Sequence, residues 1–173
     1  GWVSGGNNTL TNALGATLNL SSTIATPLAV YTGTATLNNF GTLNQTVAGA
    51  HAINGSIAFN NSGTVNVDAG TLTIDGGGAD TGLYVVDAGA TINFSGGTRN
   101  LNTGTNVTGL GTLVLSGGTV NVNNLLDIAA TGAGLNVSSG ALNINSNSVS
   151  GQLVPVTISA GALNFNTSNA VTL

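Results

Sequence analysis

The sequence predicts an all-β fold, a right-handed parallel β-helix (β-solenoid) with coils of about 21–22 residues. Three observations support this prediction. A short phrase recurs at a nearly fixed interval, and apolar and polar residues alternate within each copy. The composition is rich in Gly, Asn and Thr, which are poor helix formers, and in β-branched residues, which favour strands. The repeat therefore describes stacked strands.

Each copy of the phrase has six residues. It starts with a glycine and a second residue that is most often Thr or Ala, and continues with an aliphatic residue, an Asn, an apolar residue and a second Asn. The looser first copy has Arg in the aliphatic slot. The copies begin at Gly97, Gly118, Gly140 and Gly161. Their spacing of 21 or 22 residues is the predicted length of one coil.

Alternate residues of a strand face opposite sides of the sheet. The aliphatic residues are therefore predicted to face inward, with Val120, Leu142 and Leu163 in one column along the coil axis. The Asn residues are predicted to face outward, where stacked amides can hydrogen-bond from coil to coil. Two Asn ladders are expected, one of Asn100, Asn121, Asn143 and Asn164, the other of Asn102, Asn123, Asn145 and Asn166. We interpret both as structural.

A second series of glycine-led phrases is predicted to form another side of the coil. Its members begin at Gly41, Gly63, Gly89, Gly111 and Gly134. One step in this series is 26 residues long, and we assign the excess to a loop insertion near 75–82. A third, less regular side is expected at 83–86, 125–128 and 154–158. The result is a roughly triangular section with about seven to eight coils, a rod of roughly 35 Å.

The chain is predicted to form a single solenoid domain over residues 10–173. Residues 1–9 fit the repeat less well and are predicted to be a flexible or strand-exchanging arm. Pro27 interrupts any central strand in its neighbourhood.

Charged residues make up only 3% of the 173 residues, and the net charge is −4 with a single Arg or Lys. Nucleic acid is an improbable partner, because phosphate binding needs clustered cations. No apolar run approaches the ~20 residues of a membrane span, so membrane insertion is not expected. The absence of cysteine excludes disulfides and thiolate sites.

The phrases Asn-Asn-Ser-Gly-Thr-Val-Asn-Val (60–67) and Gly-Gly-Thr-Val-Asn-Val-Asn (117–123) resemble the β-solenoid shafts of large bacterial surface adhesins. These include filamentous-haemagglutinin-type exoproteins and autotransporter passenger domains. The resemblance covers about residues 10–173. It implies secretion to the cell exterior or cell surface, a right-handed parallel β-helix, and a role in attachment or fibre building.

The inventory of reactive side chains disfavours an enzyme. Sugar-cleaving β-helices need paired carboxylates or a basic residue beside an acidic metal site. Here the five acidic residues are spread over sixty positions, and no cofactor is expected. Asp75 and Asp80 are weak candidates for calcium, although solvation of a flexible loop is the favoured interpretation. His51 is predicted to be an ordinary surface or turn residue.

Arg99 falls at an inward slot that aliphatic residues occupy in later coils. A buried guanidinium without a partner would cost several kcal/mol, so either an acid reaches it or the strand bulges. We predict a bulge or a coil corner, with the guanidinium in solvent.

The preferred function is that of a non-enzymatic extracellular structural or adhesive protein. It would be a subunit of a fibre assembled by head-to-tail stacking, or a segment of a longer shaft. Host or surface glycans or proteins are possible receptors. The alternatives are an ice-binding β-solenoid, and a carbohydrate-binding or carbohydrate-active β-helix. The expected assembly residues are Trp2, Leu10, Ala170, Val171, Thr172 and Leu173.

Overall fold

The computed structural model describes residues 2–123, 134–146 and 155–168, which form short strands joined by turns and contain no helix. In chain order the strands are β1 (Trp2–Gly5), β2 (Asn8–Asn12), β3 (Thr17–Leu20), β4 (Leu28–Thr32), β5 (Ala35–Asn39), β6 (Thr42–Gln45), β7 (Ala50–Ile53), β8 (Ile57–Asn61), β9 (Thr64–Val67), β10 (Thr71–Ile74), β11 (Gly78–Asp80), β12 (Leu83–Val86), β13 (Thr91–Phe94), β14 (Thr98–Leu101), β15 (Asn106–Gly109), β16 (Thr112–Leu115), β17 (Thr119–Val122), β18 (Gly134–Val137), β19 (Ala141–Ile144), β20 (Val156–Ile158) and β21 (Ala162–Phe165). The described residues therefore offer no helix that could span a membrane.

The strands form three sheets, in which every described pairing is parallel. Sheet A has the order β1-β4-β7-β10-β13-β16-β18-β20, sheet B β2-β5-β8-β11-β14-β17-β19-β21, and sheet C β3-β6-β9-β12-β15. From β1 to β15 the chain visits A, B and C in turn, so each of these coils contributes one strand to each side, and the predicted β-solenoid is confirmed. The described residues contain five complete coils followed by three A–B strand pairs, slightly fewer complete coils than the seven to eight predicted.

The predicted side-chain columns are present. In sheet B, Val120 pairs with Leu142, and Leu142 with Leu163. Val120 and Leu142 are buried, and Leu163 packs against the core at its edge. The burial pattern of most strands alternates strictly, because one face of each sheet lines a narrow interior.

The leading glycine of the repeated phrase has a structural reason. Gly118 and Gly140 both have positive φ, 69° and 76°, a region that glycine adopts without strain. A Cβ on Gly118 would also lie 2.4 Å from the Gly97 carbonyl oxygen of the preceding coil. Only glycine therefore fits both the turn and the close approach of the coils.

The predicted loop insertion near 75–82 is wrong for its central residues. Gly78–Asp80 forms strand β11, which pairs with β8 on one side and β14 on the other. The error arose because the second glycine series joins two different sheets. The phrases at Gly41 and Gly63 lead into sheet C, whereas those at Gly89, Gly111 and Gly134 lead into sheet A.

The third side was only partly identified. Leu83–Val86 is indeed a strand of sheet C, but it continues the column of the Gly41 and Gly63 phrases. Val156–Ile158 belongs to sheet A, and residues 125–128 lie outside the described residues.

Of the predicted arm (residues 1–9), residues 2–9 belong to the stack. Trp2–Gly5 pairs with β4 and Asn8–Asn12 with β5, so the stack begins before residue 10. The longer connection lies instead at residues 21–27, between β3 and β4. Pro27 is buried and directly precedes β4, where a missing N–H does not interrupt the ladder.

Candidate functional site

Both predicted outer Asn ladders are present on sheet B and at its following corner. In the first, Asn121, Asn143 and Asn164 each donate from Nδ2 to Oδ1 of the preceding Asn, beginning with Asn100, at 2.8–2.9 Å. In the second, Asn123, Asn145 and Asn166 do the same from Asn102 upward, at 2.9–3.1 Å. All the amides donate toward the N-terminal end of the rod. Each ladder thus adds one axial hydrogen bond per coil to those of the backbone.

Sheet C carries a third outer ladder that the sequence did not lead us to predict. Asn66 donates to Asn44, and Asn44 to Asn19, both at 2.9 Å. The signal was present in the sequence, because these residues fill the same slot of the Thr-aliphatic-Asn phrase in consecutive coils.

An inner Asn ladder runs through the core of the first coils and was also missed. Asn12 donates to Asn39 Oδ1 at 2.7 Å, and Asn39 to Asn61 Oδ1 at 2.8 Å. Each of these amides also donates to a backbone carbonyl at the start of sheet C in the following coil. All three residues are buried. This ladder ties the end of sheet B to the beginning of sheet C.

Removing an inner rung is expected to cost more than removing an outer one. Asn39→Ala should lower the free energy of unfolding by about 3 kcal/mol, because each buried partner left unsatisfied costs ~1–3 kcal/mol. Asn164→Ala, at an exposed rung, should cost less than about 1 kcal/mol. Urea denaturation of both variants tests this, and equal losses would contradict the assignment of the inner ladder as the stronger tie.

The inner column ends in a buried ion pair. Asp80 follows Asn61 in the column, and its Oδ1 accepts from the Asn61 backbone N–H at 3.0 Å. Arg99, from the next coil, donates from Nη1 to Asp80 Oδ2 at 2.6 Å, and the two side chains are 1% and 0% exposed. The predicted solvent position of the guanidinium is therefore wrong, and β14 has no bulge at Arg99. Instead, the Asp80 carboxylate reaches the guanidinium, which is the other of the two alternatives considered from the sequence.

The residue paired with Arg99 has no room for a side chain. Arg99 pairs with Gly78, and a Cβ on Gly78 would lie 1.8 Å from the Phe59 carbonyl oxygen, so only glycine fits there. Arg99 also donates to the carbonyls of Phe59 and Gly76 at 3.2 and 3.3 Å. The rings of Phe59 and Phe94 lie 5.6 and 5.1 Å from its central carbon, within cation–π range.

Tyr84 completes this cluster from sheet C. Its hydroxyl accepts from Arg99 Nη1 at 3.5 Å, and its ring contacts Phe94 edge to face at 5.9 Å. Burial raises the pKa of the Asp80 carboxyl, and the Arg99 charge opposes this increase. A neutral Asp80 would leave Arg99, which is always charged, without a counter-ion. We therefore assign the pair as ionised at neutral pH.

Burial raises the pKa of the Tyr84 phenol well above its usual range, and the Asp80 carboxylate adds to the increase. The folded protein should hold this proton above pH ~10, where the unfolded chain loses it. The unfolded state then binds fewer protons, so the free energy of unfolding should fall as the pH rises above ~10.

Denaturation at pH 9, 10 and 11 tests this dependence on Tyr84. Tyr84→Phe should remove most of the fall, whereas Tyr31→Phe, at a side chain 84% exposed, should leave it in place. An unchanged pH dependence in Tyr84→Phe would rule out this origin.

His51 is another interior residue that the sequence placed at the surface. It occupies an inward slot of sheet A, paired with Leu72, and is buried. Its Nδ1 lies 2.5 Å from Gln45 Oε1, and its Nε2 lies 2.8 Å from the Ser22 carbonyl oxygen. The imidazole therefore joins sheets A and C to the 21–27 connection.

Both calcium candidates have partners within the protein. The Asp80 carboxylate forms an ion pair with Arg99, and the Asp75 carboxylate accepts a short hydrogen bond from the Ser95 hydroxyl in the next coil. Across the described ranges, no group of three or more His, Cys, Asp or Glu side chains is arranged to hold a metal ion.

The predicted assembly residues are only partly described. Leu10 lies in β2, partly buried against the core, and the backbone of Trp2 pairs with Leu28 in sheet A. Residues 170–173 lie outside the described residues.

Comparisons with protein-family models, with curated proteins and with solved structures found no match. The Arg99–Asp80 ion pair is sealed from solvent and cannot touch a substrate. The outer faces of the described strands carry mainly Thr, Asn and Ala side chains.

Proposed function

We propose that this chain is a non-enzymatic structural and adhesive shaft segment of an extracellular, cell-surface protein. The observation that carries the proposal is the parallel stacking of sheets A and B, eight strands each, around a continuous apolar core. Such a rod resists bending and local opening, because each inner coil is held by backbone hydrogen bonds and packing from the coils on both sides.

The surface chemistry supports an exposed, solvent-facing role. The outward positions of the three sheets are mainly Thr, Asn and Ala, and the exposed acidic residues Asp68 and Asp87 lie in the turns after sheet C. Neutral hydrogen-bonding groups keep such a surface hydrated without strong attraction to charged polymers. Glycans or proteins that hydrogen-bond to amides are the proposed receptors.

Axial stacking onto a further coil is the proposed mode of fibre growth. In the last described strands, Ile158 and Phe165 follow the buried Val137 and Ile144 in their columns but are 49% and 40% exposed. A coil placed above them would bury both side chains and continue the ladders. That coil would come from a longer chain or from a second copy.

Negative-stain electron microscopy of the purified chain tests this mode. Filaments one solenoid wide are expected if copies stack head to tail. Discrete rods of about 35 Å at all concentrations would exclude self-assembly into filaments and leave only the role of a segment in a longer shaft.

Ice binding is a second candidate, favoured by one observation. Thr71, Thr91 and Thr112 stack in register on the outer face of sheet A. The neighbouring column holds Thr73, Asn93 and Val114, so the regular double row of hydroxyls is missing. A thermal-hysteresis assay decides between the two functions, and clear activity would overturn the structural proposal.

A further inference from the structure

The alternation within the repeated phrase does not by itself specify the register between coils. If β19 shifted by two residues along β17, aliphatic residues would still face inward, and Asn121 would meet Asn145 in place of Asn143. Because the alternation has a period of two, such a shift preserves the outer ladder and keeps aliphatic Ile144 opposite Val120, although Ser146 would come opposite Val122. The side-chain pattern of the strands therefore discriminates only weakly between registers in the coils built from this phrase.

We propose that the buried Arg99–Asp80 pair fixes the register in which the fifth coil stacks on the fourth, and that it adds no net stability. The fourth coil comprises β10–β12 and the fifth β13–β15. This inference is independent of the proposed function.

The geometry of the pair permits only one register. Asp80 Oδ2 lies 2.6 Å from Arg99 Nη1, and a two-residue shift would move the guanidinium by ~6.6 Å along the strand. In the observed register the guanidinium also donates to the Phe59 and Gly76 carbonyl oxygens at 3.2 and 3.3 Å, and these contacts depend on the same alignment of Arg99 with Gly78. In a shifted register the guanidinium loses its carboxylate while both charges remain buried, the arrangement that proteins tolerate least.

The position of the pair in the stack suits this role. On the fourth-coil side, the inner column of sheet B holds Asn12, Asn39, Asn61 and Asp80. On the fifth-coil side, it continues as Leu101, Val122, Ile144 and Phe165. The pair lies at the boundary where directional inner hydrogen bonds end and interchangeable aliphatic packing begins. The register established between the fourth and fifth coils determines that of the later coils, since each coil stacks on the one before.

The pair can select one register without raising the free energy of unfolding, because burying its two charges carries a desolvation cost. Desolvation of a buried ion pair commonly cancels its attraction, and apolar replacements of both partners are often neutral or stabilising. A single buried polar group that selects one register of a repetitive interface is the best-supported use of such an arrangement.

The test is the double variant Asp80→Asn/Arg99→Met in the full chain. An Asn at position 80 keeps an acceptor for the Asn61 N–H and extends the inner ladder, while Met refills the space of the Arg stem. After refolding, the urea midpoint should equal or exceed that of the wild type. The 1H–15N spectrum should show more than one set of amide cross-peaks for coils four to six, where the wild type shows one.

The matched control is Val120→Met/Val122→Leu, which repacks the same two columns in the coil after Arg99 without removing charge. It should show a single set of cross-peaks. A single set in the Asp80→Asn/Arg99→Met variant would overturn the proposal, as would a midpoint lowered as much as in either single variant. If that variant is unfolded in dilute buffer, the spectrum is recorded in trimethylamine N-oxide, which favours compact states. One set of cross-peaks, or persistent unfolding, then also contradicts the proposal.

Discussion

Arg99→Met alone is expected to lower the free energy of unfolding by about 3–5 kcal/mol, because it leaves the Asp80 carboxylate buried without a counter-ion. The carboxylate would retain only the Asn61 N–H and its contact with Tyr84. Urea denaturation followed by circular dichroism measures the loss.

Val120→Met is the matched control, since Val120 occupies the same column one coil later and carries no charge. It should cost less than about 1.5 kcal/mol. Asp80→Asn alone should lower the free energy of unfolding by a similar amount, because it leaves the Arg99 guanidinium buried without a counter-ion. A loss below about 1 kcal/mol in Arg99→Met would show that the carboxylate is not held as described.

Phe59→Ala is expected to lower the free energy of unfolding by about 3–5 kcal/mol. The Phe59 ring is fully buried, pairs in register with Leu37 and lies against the Arg99 guanidinium. Truncation leaves a cavity between two coils and removes one of the two rings that cover the cation. The rigid backbone ladder on either side prevents the site from collapsing.

Phe40→Ala is the control of the same residue type, at a corner where the ring is 46% exposed. A loss of under about 1 kcal/mol is expected there. Similar losses at the two positions would indicate that the interior of the rod is not close-packed.

The outer ladders and the aliphatic columns were predictable because period and alternation together determine which side chains stack. For Asn100, Asn121, Asn143 and Asn164, the repeat gives the partner and the alternation gives the face. No tertiary information is needed, since neighbours in space are the same slot one coil apart.

The interior polar groups were not predicted because each departs from the repeat. Asn39 and Asn61 are second members of Asn-Asn pairs, and alternation requires one member of each pair to face inward, a signal that was overlooked. The sequence prediction puts Arg99 in solvent because it assigns the partner, Asp80, to a loop. The loop assignment follows from treating glycine-led phrases of two different sheets as one series. Correct sheet membership would have put Gly78 and Asp80 directly below β14.

His51 illustrates the remaining limit. Its partners are a side chain in the preceding strand and a carbonyl in the 21–27 connection, which has no counterpart in other coils. This contact joins an inward position to an irregular segment and occurs in one coil only. It therefore does not recur with the period of the sequence repeat. Only coordinates reveal it.

Disulfide trapping tests the stacked register most directly, because the chain contains no cysteine of its own. The pair Asn121→Cys/Asn143→Cys places thiols on directly opposed residues of neighbouring parallel strands, ~4.8 Å apart at Cα, which a disulfide can bridge. The pair Asn121→Cys/Asn145→Cys is offset by two residues, ~8 Å apart at Cα, beyond that reach. Rapid oxidation of the first pair with the second remaining reduced is the predicted result. Preferential oxidation of the second pair, or of neither, would contradict the stacking of equivalent side chains on which this description of the protein depends.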